Sequence, residues 1–283
     1  IDNVDVWIIV EAPENTRAMT NIDPERQQMR NSAYAEWMDI YMKRSAAGEL
    51  RWVMTNYPCQ ALAQDAEMSL DEYEGFVYAA TFADQDDPVA RWREIYEAQE
   101  KLIKWLAGKK SVAIRGPHVD LTMSIAGRSF INSCGDENMP SGEIFTSPVE
   151  DSVNGWVEFS YPAIYLGVAV EGARLEFEQG KVVKASAEKG EEFLLKMLDT
   201  DAGARILGEL GIGTNYGIRK FTKNILYDEK IGGSFHLAVG SGFPEAGGKN
   251  ESSIHWDLIS DATYATSMWA DDEIFYQNGK FTV

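Results

Sequence analysis

Val4-Asp5-Val6-Trp7-Ile8-Ile9-Val10 (VDVWIIV) is a continuous, largely β-branched apolar run of strand length, the pattern expected of a strand buried on both faces of a parallel sheet. The residues that follow extend this reading. Beyond a loop with Pro13 and Asn15, Asp23-Pro24-Glu25 joins a capping residue to a first-turn proline, predicting a helix to about Ala47 that stops at Gly48. Arg51–Asn56 (RWVMTN) reads as a second short strand, and Cys59–Glu67 as a helix. Ser69-Leu70-Asp71-Glu72 is a capping box that starts another helix. Asp87-Pro88 precedes a long amphipathic helix over Val89–Leu106, ended by Gly108. Strands alternating with helices predict an α/β layer with parallel strands.

The character changes after Lys110. Short strand candidates cover Ser111–Arg115, Leu121–Ile125, Val153–Phe159, Ala173–Phe177 and Lys181–Ala187, joined by turns containing Gly and Pro. Glu178-Gln179-Gly180-Lys181 resembles a hairpin turn between the last two. Glu191–Leu198 reads as a helix and Asp201–Leu207 as another, before a glycine-rich stretch to Asn250 that contains the strand-like Ser234–Val239. The fold expected is therefore α/β. A partial N-terminal layer with parallel strands occupies residues 1–108, and a larger mixed α+β domain occupies 109–283.

At 283 residues the chain can bury a sizeable core, and 45% hydrophobic with 25% charged residues is an ordinary globular balance. No apolar run is long enough to span a bilayer. The two cysteines, Cys59 and Cys134, are far apart and lack metal-ligand spacing, which fits structural thiols in a reducing cytoplasm. A net charge of −19 disfavours nucleic acid and anionic membranes as partners, and mildly favours cationic groups such as a peptide's ammonium end. The sequence opens on Ile1 and enters a strand almost at once, as expected of a chain whose beginning is missing.

Two of the three histidines stand close together: His236 in GGSFHLAVGSG and His255 in ESSIHWDLI. On a strand, His255 and Asp257 face the same way while Trp256 points to the opposite layer. Imidazole with carboxylate suits zinc, cobalt, manganese or iron. Three glutamates lie beside glycines and turns rather than on amphipathic helices. Glu143 follows the turn-forming NMPSG, Glu209 sits in GELGIGTN, and Glu229 lies in YDEKIGG, seven residues before His236.

The strings NMPSGEIFTSPVEDSVNG (138–155), TDAGARILGELGIGTN (200–215), ILYDEKIGGSFHLAVGSGFPEAGGKN (225–250) and SIHWDLI (253–259) resemble the signature blocks of the aminopeptidase T / aminopeptidase S family of metallo-aminopeptidases. The resemblance extends upstream through residues 51–74 and 87–102, and so covers nearly the whole chain, without the family's additional N-terminal stretch. It implies a hydrolase with two adjacent divalent ions (zinc, cobalt, manganese or magnesium) held by Glu143, Glu209, His236, His255 and Asp257, with Glu229 a further member. Two such ions need a bridging carboxylate, for which Asp257 is the expectation, and one of the glutamates would serve as general base. The resemblance also implies short peptide substrates cut at their N-terminus, and a homodimer.

Two positions depart from the family pattern. The tyrosine usual seven residues after the first histidine, implicated in catalysis, is Phe243 here, so its hydrogen-bond donor is lost. Pro117-His118-Val119-Asp120 replaces a more usual Gly-Thr-Asp, which makes His118 a loop residue. Two rival readings follow: a mononuclear non-haem iron dioxygenase related to the family, since two histidines and an aspartate match its ligand set, or a catalytically weakened metal-binding homologue.

Overall fold

The computed structural model describes residues 1–18, 47–283 and, between them, 22, 26, 29, 33, 37, 40, 41 and 43–45. The start of the helix expected to open at Asp23 lies outside the described residues; those described between 26 and 45 are helical. Strands Val6–Glu11 and Arg51–Asn56 pair in parallel, with Val6 opposite Arg51. Asn138–Met139 adds a third parallel strand against Met54 and Thr55. The parallel N-terminal layer is thus present, but its first strand is not buried on both faces. Val6, Ile8 and Val10 remain 46%, 65% and 55% exposed. That strand is the sheet's edge, and its buried face rests on Trp7, which meets Trp37 and Tyr41 edge-on at 5.0 and 5.5 Å. A continuous apolar run does not by itself distinguish one covered face from two.

Helix Leu70–Thr81 begins where the capping box predicts, with Ser69 Oγ accepting from the Glu72 N–H at 3.2 Å. The Asp87 carboxylate caps helix Pro88–Leu106 by accepting from the Ala90 N–H. Its buried stripe is Trp92, Ile95, Gln99, Leu102 and Leu106, spaced as one helical face. The earlier helix is shorter than expected, Gln60–Asp65, and the chain leaves it through Glu67 at φ 56°.

Downstream, two antiparallel sheets face each other. The larger has eight strands, in spatial order Lys181–Ser186, Arg174–Glu178, Asn154–Glu158, Val119–Ser124, Ser111–Gly116, Ser267–Ala270, Glu273–Gln277 and Lys280–Phe281. The hairpin at 178–181 forms as read, with Gln179 and Gly180 both at positive φ. The smaller has five strands in the order His255–Asp261, Ser234–Gly240, Leu207–Gly213, Glu143–Thr146 and Ile131–Ser133. Ile144, Leu210, Ile212, Phe235, Leu237, Trp256 and Leu258 join Ile114, Leu121, Val157 and Leu175 in one core. Leu102 and Leu106 of the long helix enter that core too. Period-two alternation then sends Glu143, Gly211, His236, His255 and Asp257 to the other face of the five-stranded sheet.

Asp201–Leu207 is not a helix. Asp201 folds the segment into turns instead: its carboxylate accepts from the Gly203 N–H and from Ser252 and Ser253. Gly203 also lies so close to the Glu251 carbonyl that a Cβ would sit 2.1 Å from its oxygen. Leu207 then begins a strand.

Candidate metal centre

Direct strand pairing builds the centre. Gly211 lies opposite His236, and Ala238 lies between Glu209 on one side and Asp257 on the other. Ala238 has no bulk to hold those two carboxylates apart, and Gly211 leaves its Cβ space to the His236 ring: a methyl there would sit 2.1 Å from imidazole atoms. A register shift at Gly208 separates Leu207, in the core, from Glu209, in the centre. In a regular strand, residues two apart would share a face; the bulge turns Leu207 into the core while Glu209 stays in period with Gly211 on the opposite face. Gly208 suits the bulge because a Cβ would lie 2.3 Å from the Ser241 carbonyl oxygen.

Two groupings with metal-ligand character result, Glu143–Glu209–His236 and Glu209–His255–Asp257, each with its ligand atoms within 4.8 Å of one another. Glu209 belongs to both. Its Oε1 lies 3.3 Å from His236 Nε2 and its Oε2 lies 3.1 Å from His255 Nε2. Glu209 is the residue the two groupings share, while Asp257, the bridging carboxylate expected from the sequence, stands in the second. Glu143 Oε2 is 3.5 Å from His236 Nε2, and Asp257 Oδ1 is 3.6 Å from His255 Nε2.

Each imidazole is fixed by its other nitrogen. His236 Nδ1 donates to the Glu229 carbonyl at 3.0 Å, and His255 Nδ1 to the Ser241 carbonyl at 2.9 Å. Both therefore present Nε2 to the carboxylates, the orientation of a histidine prepared to bind a cation. Glu143 Oε2 and Asp257 Oδ1 are buried without a hydrogen-bond partner. Orphaned, buried carboxylate oxygens beside aimed imidazoles fit divalent metal binding, since such groups are otherwise costly to bury.

The electrostatics agree. Burial pushes His236 and His255 downward, but the surrounding carboxylates outweigh it and hold them at about 10 and about 12: chiefly Glu209 for His236, and Asp257, then Glu209, for His255. Burial would raise Asp257, yet His255, His236 and Lys230 bring it to about 2. Glu209 is lowered in the same way by hydrogen bonds from both imidazoles, against its burial. Glu143 stays raised, because burial exceeds what Lys230 and His236 offset. With no metal, protons on the two imidazoles supply the positive charge that the carboxylates require.

Glu229 is in neither grouping. It supplies its backbone carbonyl to His236, while its side chain pairs with Lys230. Burial, only partly offset by Lys230, raises its carboxyl to about 8. Lys230 was not anticipated, although it stands in the same DEK triplet. It is fully buried, with Nζ bound to Glu229 and 3.6 Å from Glu143 Oε1, and these two acids keep it charged against its burial. Gln99 was also missed; from the long helix it donates to the backbone carbonyls of Glu143 and Ser133. Phe243 packs on the His255 ring, centroids 5.1 Å apart, and on Phe145 at 4.8 Å. His118 lies in a surface turn near Glu158, outside the centre.

Comparison with known proteins adds to this geometry. Residues 1–281 match the family described as thermophilic metalloprotease (M29). Aminopeptidase 2 of Geobacillus stearothermophilus is 29% identical over 288 residues, covering 89% of this chain and 69% of that protein. The structure of wild-type AmpT from Thermus thermophilus superposes with a TM-score of 0.85 at 25% identity, covering 98% of this chain and 76% of that one. A 2,5-dihydroxypyridine dioxygenase from Pseudomonas putida shares the fold at a TM-score of 0.59 and 18% identity, over 83% of this chain and 71% of its own.

Proposed function

We propose that this chain, a metal-dependent aminopeptidase that belongs to the thermophilic metalloprotease (M29) family, works with two divalent ions, one at each of the groupings that share Glu209. The observation that carries the proposal is that double membership: Glu209 turns its two oxygens to two different imidazoles, so it would be available as a ligand in both groupings. Residues 109–283 then form the metal-binding unit, with Glu143 and His236 on one side of Glu209 and His255 and Asp257 on the other. A bound ion pair supplies Lewis acidity toward the scissile carbonyl and acidifies a water.

The protein's own groups do the rest. Glu229, outside both groupings and held by Lys230, accepts the proton at its carboxylate. Lys230 holds Glu229 and Glu143 in place and balances their charge. Phe243 provides no hydroxyl for the developing oxyanion, which predicts slow turnover.

Imidazole and carboxylate ligands favour zinc, cobalt or manganese, with magnesium the weaker fit. Short peptides as substrates, a homodimer and a cytoplasmic setting complete the reading, supported by the family resemblance; among the described residues no helix is long and apolar enough to cross a membrane. The test is metal content per chain together with release from amino-acid p-nitroanilides under cobalt, zinc or manganese. Two ions with release are expected. A single iron without release would overturn the proposal.

A further inference from the structure

Two cavities adjoin one another beside the metal centre. The first, of about 320 Å³, is lined by Asp257 and Ile259 of one strand face and by Phe221. The second, of about 250 Å³, also has Phe221 in its wall, so the two meet at that ring. Tyr161, in the wall of the second, stacks on Phe221 with centroids 4.9 Å apart, and its N–H donates to the Ile259 carbonyl at 3.3 Å. Ile259 is two residues beyond Asp257, about 7 Å along a strand, so the second cavity opens roughly 10 Å from that residue.

The charge of the second cavity is opposite to that of the chain. The protein carries a net charge of −19, yet the only charged side chains in this wall are Arg219 and Lys220. Lys220 Nζ donates to a neutral acceptor, the Glu67 backbone carbonyl, at 3.0 Å, while the Glu67 carboxylate pairs with Lys223. Arg219 is exposed and makes no ion pair or hydrogen bond among the described residues. A solitary exposed arginine would mean little. Here two cations share a concave wall with Tyr161, Phe221 and Tyr216, and the last is fixed by a hydrogen bond from its hydroxyl to the Gly279 carbonyl at 2.8 Å. A guanidinium with free donors beside aromatic faces is suited to a planar carboxylate.

We infer that the second cavity holds the C-terminal carboxylate of a short peptide substrate, with Arg219 as the residue that binds it. The inference rests on the aminopeptidase reading, which puts the other end of the peptide at the centre beside Asp257. An extended chain advances about 3.3–3.6 Å per residue, so a peptide of about three or four residues spans the separation. Longer peptides carry their carboxylate past the cavity. The field of the protein then has a direction along the substrate: the acidic body attracts the ammonium end, and the basic cavity receives the carboxylate end.

The experiment measures kcat/KM for leucyl-diglycine, leucyl-triglycine and leucyl-pentaglycine, each as the free acid and as the C-terminal amide. It uses the metal-loaded wild-type protein, Arg219→Gln and Arg219→Lys. Arg219 is exposed, so neither substitution threatens folding. At three or four residues the wild-type protein should prefer the acid by about 10- to 100-fold, the scale of a charge-assisted hydrogen bond. Arg219→Gln should bring that ratio to within about threefold of one. Arg219→Lys, which keeps the charge but loses the fork, should retain part of it. At six residues the preference should vanish. Equal turnover of acid and amide at both short lengths, an undiminished preference in Arg219→Gln, or a preference of the same size at six residues would overturn the subsite. No release of leucine by the wild-type protein under cobalt, zinc or manganese would overturn the aminopeptidase reading, and the subsite with it.

Discussion

Gly211→Ala should dismantle one half of the metal centre while leaving the backbone content. Gly211 is not at a positive φ, so alanine meets no conformational penalty there, and on strand propensity alone the change would be mildly favourable. The obstacle is the His236 ring. An added Cβ would lie 2.1 Å from both Cε1 and Nε2, against an ordinary carbon contact of about 3.5 Å, so the ring must retreat by about 1.4 Å. The imidazole is fully buried and tied at Nδ1 to the Glu229 carbonyl, which leaves it nowhere to go without breaking that bond. Metal–ligand distances tolerate only about 0.2 Å. The Glu143–Glu209–His236 grouping should therefore lose its ion and the other should keep one. Equilibrium dialysis followed by elemental analysis should read one ion per chain in place of two, with kcat down about 100-fold or more. Overpacking should cost about 1–3 kcal/mol in urea denaturation. Two ions per chain with kcat within about threefold of wild type would refute the steric argument and the placement of His236 as a ligand.

Three further outcomes follow. Phe243→Tyr restores a phenol on a ring already packed against His255; kcat should rise by about 10²-fold with KM and metal content steady, and no rise would mean the oxyanion is stabilised elsewhere. Lys230→Met leaves two buried acids without their cation and should lower stability by about 3–5 kcal/mol by chemical denaturation, with Lys230→Arg recovering part; an undiminished Lys230→Met would contradict the pairing. In chelator, the melting temperature should fall as pH rises from about 7 to 10. The sign comes from His236 and His255, held in the folded state at about 10 and about 12 against an ordinary 6.5, so their contribution is complete below 6.5 and fades as pH climbs toward those values. Glu229, raised to about 8, acts in the same direction, whereas the contribution of Asp257, lowered to about 2, is constant over this range and is lost only in acid. Added zinc should flatten the alkaline decline; a metal-free protein equally stable at both pH values would refute the charge pattern.

Much of this was legible in the sequence, for physical reasons that differ by element. Caps are local chemistry, so Ser69 and Asp87 mark their helices within a residue. The 178–181 hairpin is likewise local, since a glycine in a short polar turn has few alternatives. Burial is not local: Val4–Val10 reads the same whether one or both faces are covered, and Asp201–Leu207 has helical residues overruled by hydrogen bonds from Ser252 and Ser253, some fifty positions away. The residues of the centre were drawn from family blocks, but their division of labour depends on register. Alternation with Leu210 and Ile212 already turns Glu209 away from the core, but nothing in GELGIGTN announces the bulge at Gly208 that sends Leu207 into it. Lys230 escaped notice because a lysine beside two acids looks like a solvated surface; only its enclosure between Glu229 and Glu143 shows otherwise.

The same register argument weighs against a mononuclear oxygenase. Two histidines and one aspartate would suffice for a single iron, and the fold is shared with a dioxygenase. A centre of that kind gives no reason to bury more. Here Glu143 and Glu209 are also buried and point at the imidazoles, and one Glu143 oxygen, 3.5 Å from His236 Nε2, has no hydrogen-bond partner. Leaving such an oxygen unsatisfied costs about 1–3 kcal/mol or more for a charged group, and Lys230 compensates the other oxygen only. A second cation beside Glu143 removes that cost. The Glu143→Gln variant makes the distinction measurable: it should reduce bound metal from two ions to one if the second position exists, and leave a single ion unchanged if it does not.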